Sequence, residues 1–184
     1  DRPFALAFGA VALLALAGCS SRSGDSGGGS AASDGFKKGA TIGVALPDKT
    51  SENWVLAGGI FEKDIADAGF KADVQYAGQS TPVPDQQSEI GSMSTKGAKV
   101  IIMGAKDGGQ LGTQVKDAKD SGATVIAYDR LLTDTQNVDY YGAFDNYKVG
   151  QLQGQALLDG LKAKFPDTKP WNVELFGGSP ADNN

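Results

Sequence analysis

The dipeptide Asp129-Arg130 sets a carboxylate acceptor beside a guanidinium donor fork, directly after the apolar run 125–128. An Arg presents five N–H donors in one plane, and an Asp accepts from paired hydroxyls. Three more polar clusters follow apolar runs: Pro47 to Trp54, Gly104 to Gly108, and Asp145-Asn146. Trp54 and Phe144 add flat aromatic faces able to cover the C–H side of a ring. Such an inventory suits a neutral polyhydroxylated ligand. A wrong epimer is then rejected because it leaves buried polar groups unpaired.

Each of these residues also has a purely structural reading. Asp129-Arg130 fits a turn or a surface ion pair. Trp54 lies in helical register with Phe61 and Ile65, so core packing competes with ligand stacking. Asp145-Asn146 fits a helix cap. Asp107 fits a turn, and Gly108-Gly109 fits a turn better than an anion cradle.

Other chemistries are excluded by composition. The chain has no His, and Cys19 is its only Cys. A Cys/His zinc site, a Ser-His-Asp triad, a Cys-His pair and an intrachain disulfide are therefore all impossible within it. No phosphate-binding G-x-x-x-x-G-K-[ST] or G-x-G-x-x-G loop and no G-x-S-x-G elbow occurs. No cofactor and no metal is called for. Paired carboxylates for glycoside hydrolysis stay open, since 22 Asp and Glu are present, but most must be solvated surface. Net charge is −5 with no basic cluster, so nucleic acid is not an expected partner.

The elements that must carry these loops follow from apolar periodicity. Hydrophobic residues make up 40% of the 184, enough for a packed core. Short apolar runs predict strands at 41–46, 72–76, 99–103, 123–128, 138–144 and 172–176. Helical spacing predicts helices over 52–69, 84–96, 110–121 and 146–164, with Gly69, Gly97 and Gly122 as stops. Strand–helix alternation implies right-handed βαβ units, hence α/β architecture with a doubly wound parallel sheet. The Val/Ile-rich runs suit strands buried on both faces. Ligands of such sheets bind outside the carboxyl ends of the strands, where the polar clusters fall.

The N-terminal segment differs in character. Residues 4–18 are almost wholly apolar, too short for the roughly 20 residues a bilayer span needs. With Arg2 before them, they read as the core of a secretion signal clipped at its start. Leu16-Ala17-Gly18-Cys19 resembles a bacterial lipobox, in which Cys19 carries lipid; a plain signal peptide or a buried apolar helix is the alternative. Residues 20–40 begin as a Ser/Gly-rich stretch that reads as a flexible tether.

From Thr41 to Asn184 the sequence resembles the periplasmic sugar-binding proteins of the type I fold, nearest to their xylose- and multiple-monosaccharide-binding branch. The resemblance rests on four stretches: Val125 to Leu131, Val138 to Tyr141, Phe144 to Gly150, and Glu174 to Asn184. It implies two α/β lobes closing on a sugar like a hinged clamp. On that template 41–142 is the first lobe, and 143–184 is the crossover and start of a second lobe cut short. The resemblance further implies that Asp129 and Arg130 grip sugar oxygens and that Trp54 stacks on the sugar. Asp145 would contribute at the crossover, and Asn183 or Asn184 from the second lobe. Asn53 departs from the pattern, since relatives tend to carry Arg there; the change removes a charge and a donor fork and leaves the sugar open.

The function so implied is a non-catalytic receptor that hands a monosaccharide of xylose, glucose or galactose type to an ABC importer permease. It would be a monomer, extracytoplasmic and lipid-anchored to the bacterial membrane, with a chemoreceptor as a compatible second partner. A sugar-responsive transcription regulator would need an N-terminal DNA-binding module where the signal and tether stand. A sugar-processing α/β enzyme is disfavoured by the missing His and nucleophile motifs.

Overall fold

The computed structural model describes residues 36–178 and Pro180. Cys19, the signal-like segment 1–19, tether residues 20–35 and Asn183 lie outside the described residues. Five parallel strands form one sheet: β1 (Thr41–Leu46), β2 (Lys71–Tyr76), β3 (Val100–Met103), β4 (Thr124–Tyr128) and β5 (Tyr140–Gly142). Their order is β2-β1-β3-β4-β5. Four helices intervene: α1 (Glu52–Asp67), α2 (Pro82–Thr95), α3 (Gly112–Asp120) and α4 (Asn146–Lys164).

The chain runs outward from β1 to β2 and then returns past β1 to β3, so the winding reverses between β1 and β3. That reversal puts α1 on one face of the sheet and α2 and α3 on the other. Ile65 and Phe61 of α1 pack with Val44 and Leu46 of β1, and Val74 and Ile102 close the layer. The opposite layer joins Ile90 and Met93 of α2 and Val115 and Ala118 of α3 to Ala45, Ile101, Met103, Val125 and Ala127 of the strands. Alternate residues of β1 thus point into different cores, as a strand buried on both faces requires. Helices end as their stops predict: Gly69 after α1 and Gly122 after α3 both adopt φ of 85°, the left-handed conformation a glycine takes without a Cβ penalty.

Doubly wound α/β architecture is therefore observed. Differences from expectation lie near the C-terminal end. The strand expected at 172–176 is absent, and that segment is irregular and solvent-facing, with Leu175 and Phe176 each 91% exposed. Its apolar residues supply strand propensity, but a strand also needs a neighbour to satisfy its backbone, and no described strand pairs with it. For the same reason β5, an edge strand paired only with β4, is three residues long rather than seven. Helix α4 forms over 146–164 as its periodicity predicts, yet buries none of its residues among those described.

Candidate functional site

The carboxyl ends of β1, β4 and β5 frame a cavity of about 470 Å³. Its wall from the α1 side is Ser51, Asn53, Trp54 and Ala57. Tyr128, Asp129 and Arg130 close it at the end of β4, and Phe144 faces it from beyond β5. Of the six residues expected to touch ligand, four therefore converge: Asn53, Trp54, Asp129 and Arg130. Asn183 lies outside the described residues.

Asp145 is not brought to the cavity. It precedes α4 as its N-cap, and its Oδ1 accepts the Lys148 backbone N–H at 2.9 Å. That satisfies one of the donors a helix start leaves unpaired, which is the structural reading its position allowed. Its neighbour Phe144 does reach the cavity and is 79% exposed.

Trp54 belongs both to the α1-side core and to the cavity wall. The first turn of α1 holds it 9% exposed, within the α1-side core. Its ring meets Tyr128 edge-on, with centroids 6.2 Å apart and planes at 73°, a favourable quadrupolar arrangement. The Arg130 guanidinium stands over the ring at 5.4 Å, a cation–π contact. Arg130 Nη1 also donates to the Ala105 carbonyl at 3.1 Å, so the fork is held from beneath by the loop after β3.

Asp129 is the one described non-glycine residue with positive φ, at 61°. Its N–H donates to the Gly142 carbonyl at 2.8 Å, continuing the β4–β5 ladder. The next N–H, that of Arg130, folds back onto the Tyr128 carbonyl at 2.7 Å, closing a γ-turn centred on Asp129. A side-chain-bearing residue in this region costs about 1–3 kcal/mol and persists where the surroundings over-determine it. The Tyr141 hydroxyl fixes the turn further by donating to the Asp129 carbonyl at 3.0 Å. Burial, and then the Asp129 charge, push the Tyr141 phenol up from its ordinary value, so it stays a neutral donor. The turn swings two consecutive side chains, an acceptor and a donor fork, to the same cavity.

Sequence reasoning misses Tyr128 and Ala57 as cavity residues. Tyr128 is visible in retrospect as the last residue of β4, the end at which this fold binds ligands. Nothing in the sequence marks Ala57. Among the described residues no cluster of three or more potential metal-ligating side chains occurs, and no helix is long and apolar enough to cross a membrane.

Comparison with known proteins bears on this geometry. The profile of the periplasmic binding protein domain matches residues 42–184. The chain belongs to the periplasmic binding protein family. Within that family it is 47% identical over 145 residues to the multiple sugar-binding periplasmic receptor ChvE of Rhizobium radiobacter, covering 78% of this chain and 40% of that protein. It is 38% identical over 143 residues to the D-xylose-binding periplasmic protein of Escherichia coli, again covering 78% and 40%. An ABC transporter solute binding protein from Clostridium phytofermentans, solved with bound β-D-glucose, superposes with a TM-score of 0.71 at 41% identity, over 78% of this chain and 43% of that one. These relatives are sugar-binding proteins and not enzymes. The chain spans about 40% of the length of the curated relatives it matches.

Proposed function

We propose that this protein is an extracytoplasmic receptor for a neutral monosaccharide, which it delivers to an ABC importer. The observation that carries the reading is the pairing, in one cavity, of Asp129 and Arg130 on a strained γ-turn with the ring of Trp54. The carboxylate accepts two hydroxyl protons, the guanidinium donates to ring and hydroxyl oxygens, and Trp54 and Phe144 offer apolar faces to C–H groups. Asn53, in place of a longer cation, adds an uncharged donor and acceptor. The names of the relatives favour the same class, with xylose or glucose as first candidates.

In this proposal 41–142 is the first of two lobes and 143–184 opens the second, from which Asn183 closes on the ligand and Asp145, its Oδ1 holding the α4 cap, brings Oδ2 to it on closure. Residues 1–19 act as a lipoprotein signal and Cys19 carries the anchor, with 20–40 as tether. The protein is a monomer that docks on its permease and, where one exists, on a chemoreceptor. Release of the protein from the membrane fraction by Cys19→Ser is the expected result for the anchor.

The deciding experiment is calorimetric titration of the full-length, unlipidated protein against a panel of neutral monosaccharides, with product analysis. Micromolar or tighter binding with the sugar recovered unchanged is expected. No binding, or conversion of a sugar, would overturn the reading.

A further inference from the structure

The winding of the sheet reverses between β1 and β3, the place where this architecture normally opens a crevice. Here that crevice is bridged by charge. Lys106, in the loop after β3, donates to Asp48 Oδ2 in the loop after β1 at 2.9 Å, with side chains 34% and 11% exposed. Gln86 stands behind the pair on α2, fully buried. Its Nε2 donates to the Gly104 carbonyl at 2.8 Å and its Oε1 accepts the Lys106 N–H at 2.8 Å. One amide thereby fixes the loop after β3 on both sides of Ala105.

What these three residues hold is the cavity wall. Asp48 Oδ1 accepts the Thr50 N–H at 3.0 Å, the Thr50 hydroxyl at 2.7 Å and the Ser51 N–H at 3.3 Å. The Ser51 carbonyl in turn accepts the Trp54 N–H at 3.1 Å, starting α1. On the other side, Gly104 lies directly under the Trp54 ring, where a Cβ would come within 3.1 Å of Cζ3. The Ala105 carbonyl, between the two points that Gln86 grips, receives Arg130. Two of the cavity groups that a ligand would meet, the indole and the guanidinium, are thus seated on backbone that this network immobilises.

We infer that Gln86, Lys106 and Asp48 form a brace across the switch point, with Lys106 as the positioning residue that sets Trp54 and Arg130 in register for ligand. Lys106 itself is not among the residues lining the cavity. The inference rests on the monosaccharide-receptor reading for its effect on affinity, but its effect on Trp54 is independent of ligand.

The test uses the full-length protein labelled with 5-fluorotryptophan, the Trp54 resonance being assigned by its loss in Trp54→Phe. In Lys106→Met the resonance shifts or broadens without sugar present, and the dissociation constant for the best monosaccharide rises roughly tenfold. Lys106→Arg, which keeps the charge and a donor, restores both. Thr50→Val, which removes one hydroxyl bond to Asp48, moves the resonance the same way by less; it decides the matter if Lys106→Met does not fold. A folded Lys106→Met with an unmoved Trp54 resonance and unchanged affinity overturns the brace. So does a loss of thermal stability with no change at Trp54. Failure of the wild-type protein to bind any monosaccharide overturns the transport reading instead, and the Trp54 resonance alone then decides for or against the brace.

Discussion

Asp129 brings a carboxylate to the cavity at the expense of its own backbone. Its φ of 61° would suit glycine, yet a carboxylate is placed there. Asp129→Gly removes the Cβ conflict but loosens the unfolded chain, so stability should change by no more than about 1 kcal/mol. Monosaccharide affinity should nevertheless fall by about a hundredfold or more, since two charge-assisted hydrogen bonds are lost. Parallel calorimetric titration and thermal unfolding of the variant check this; a large stability loss with binding retained would contradict it. Much of the cavity was legible at this scale because its polar residues directly follow apolar strand runs. What was not legible is support. Gln86 lies in the helix over 84–96, and nothing in the sequence marks it as a core residue, yet it is fully buried, its amide meeting the Ala45 carbonyl of β1 and the Gly104 carbonyl and Lys106 N–H of the loop after β3. Asp145 could be read as cap or ligand, and only the three-dimensional placement of its carboxylate separates the two in this structure.

Helix α1 carries the Trp54 wall, and its two adjacent glycines lie in opposite environments. Gly58 is buried over β2, where a Cβ would overlap the Tyr76 hydroxyl, reach Cζ at 2.7 Å and press on Leu46 Cδ1 at 3.1 Å. Gly59 has nothing within 4 Å of the same position. Alanine favours a helix interior over glycine by about 1 kcal/mol at either site. At Gly58 the overlap outweighs that gain, so Gly58→Ala should destabilise by about 1–3 kcal/mol and weaken sugar binding as α1 lifts from the sheet. Gly59→Ala should stabilise by about 0.5–1 kcal/mol with affinity unchanged. Denaturant titration of the two variants gives shifts of opposite sign if the packing argument holds, and equal gains if propensity alone governs. Periodicity anticipated α1 and α4 well, since long amphipathic or apolar-spaced segments carry their own signal. It failed at 172–176, where strand character depends on a partner that local sequence does not encode.

At the scale of the whole molecule, three carboxylates among the described residues are shifted from their ordinary pKa and make stability depend on pH in opposite directions. Burial alone would raise the pKa of Asp48, but the bonds from Thr50 and Lys106 outweigh it and hold the group well below the usual carboxylate range. Asp139 is lowered by its hydrogen bonds from Lys119 and then from the Val125 N–H. What these two contribute is present above their unfolded value of 3.8 and is lost as the pH falls below it. Glu89 behaves inversely. Burial on α2, then the charges of Asp85 and Asp73, push it up from 4.5 to about 7. Asp85 is already committed to Gly78 and Thr81, and Asp73 to Gln75 and Lys96. Glu89 Oε2 has no hydrogen-bond partner among the described residues, so Glu89 is the member that takes the proton. Its folded value exceeds its unfolded one, so its contribution is complete below pH 4.5 and disappears as pH rises through about 7. Glu89→Gln makes the neutral form permanent. The variant should match the wild type at pH 4.5 and exceed it at pH 8 by about 1 kcal/mol, allowing for solvent screening of a partly exposed group. Thermal unfolding at the two pH values checks the sign: a gain at pH 4.5 equal to that at pH 8 would assign the effect to packing, whereas a gain confined to pH 8 assigns it to ionisation of Glu89.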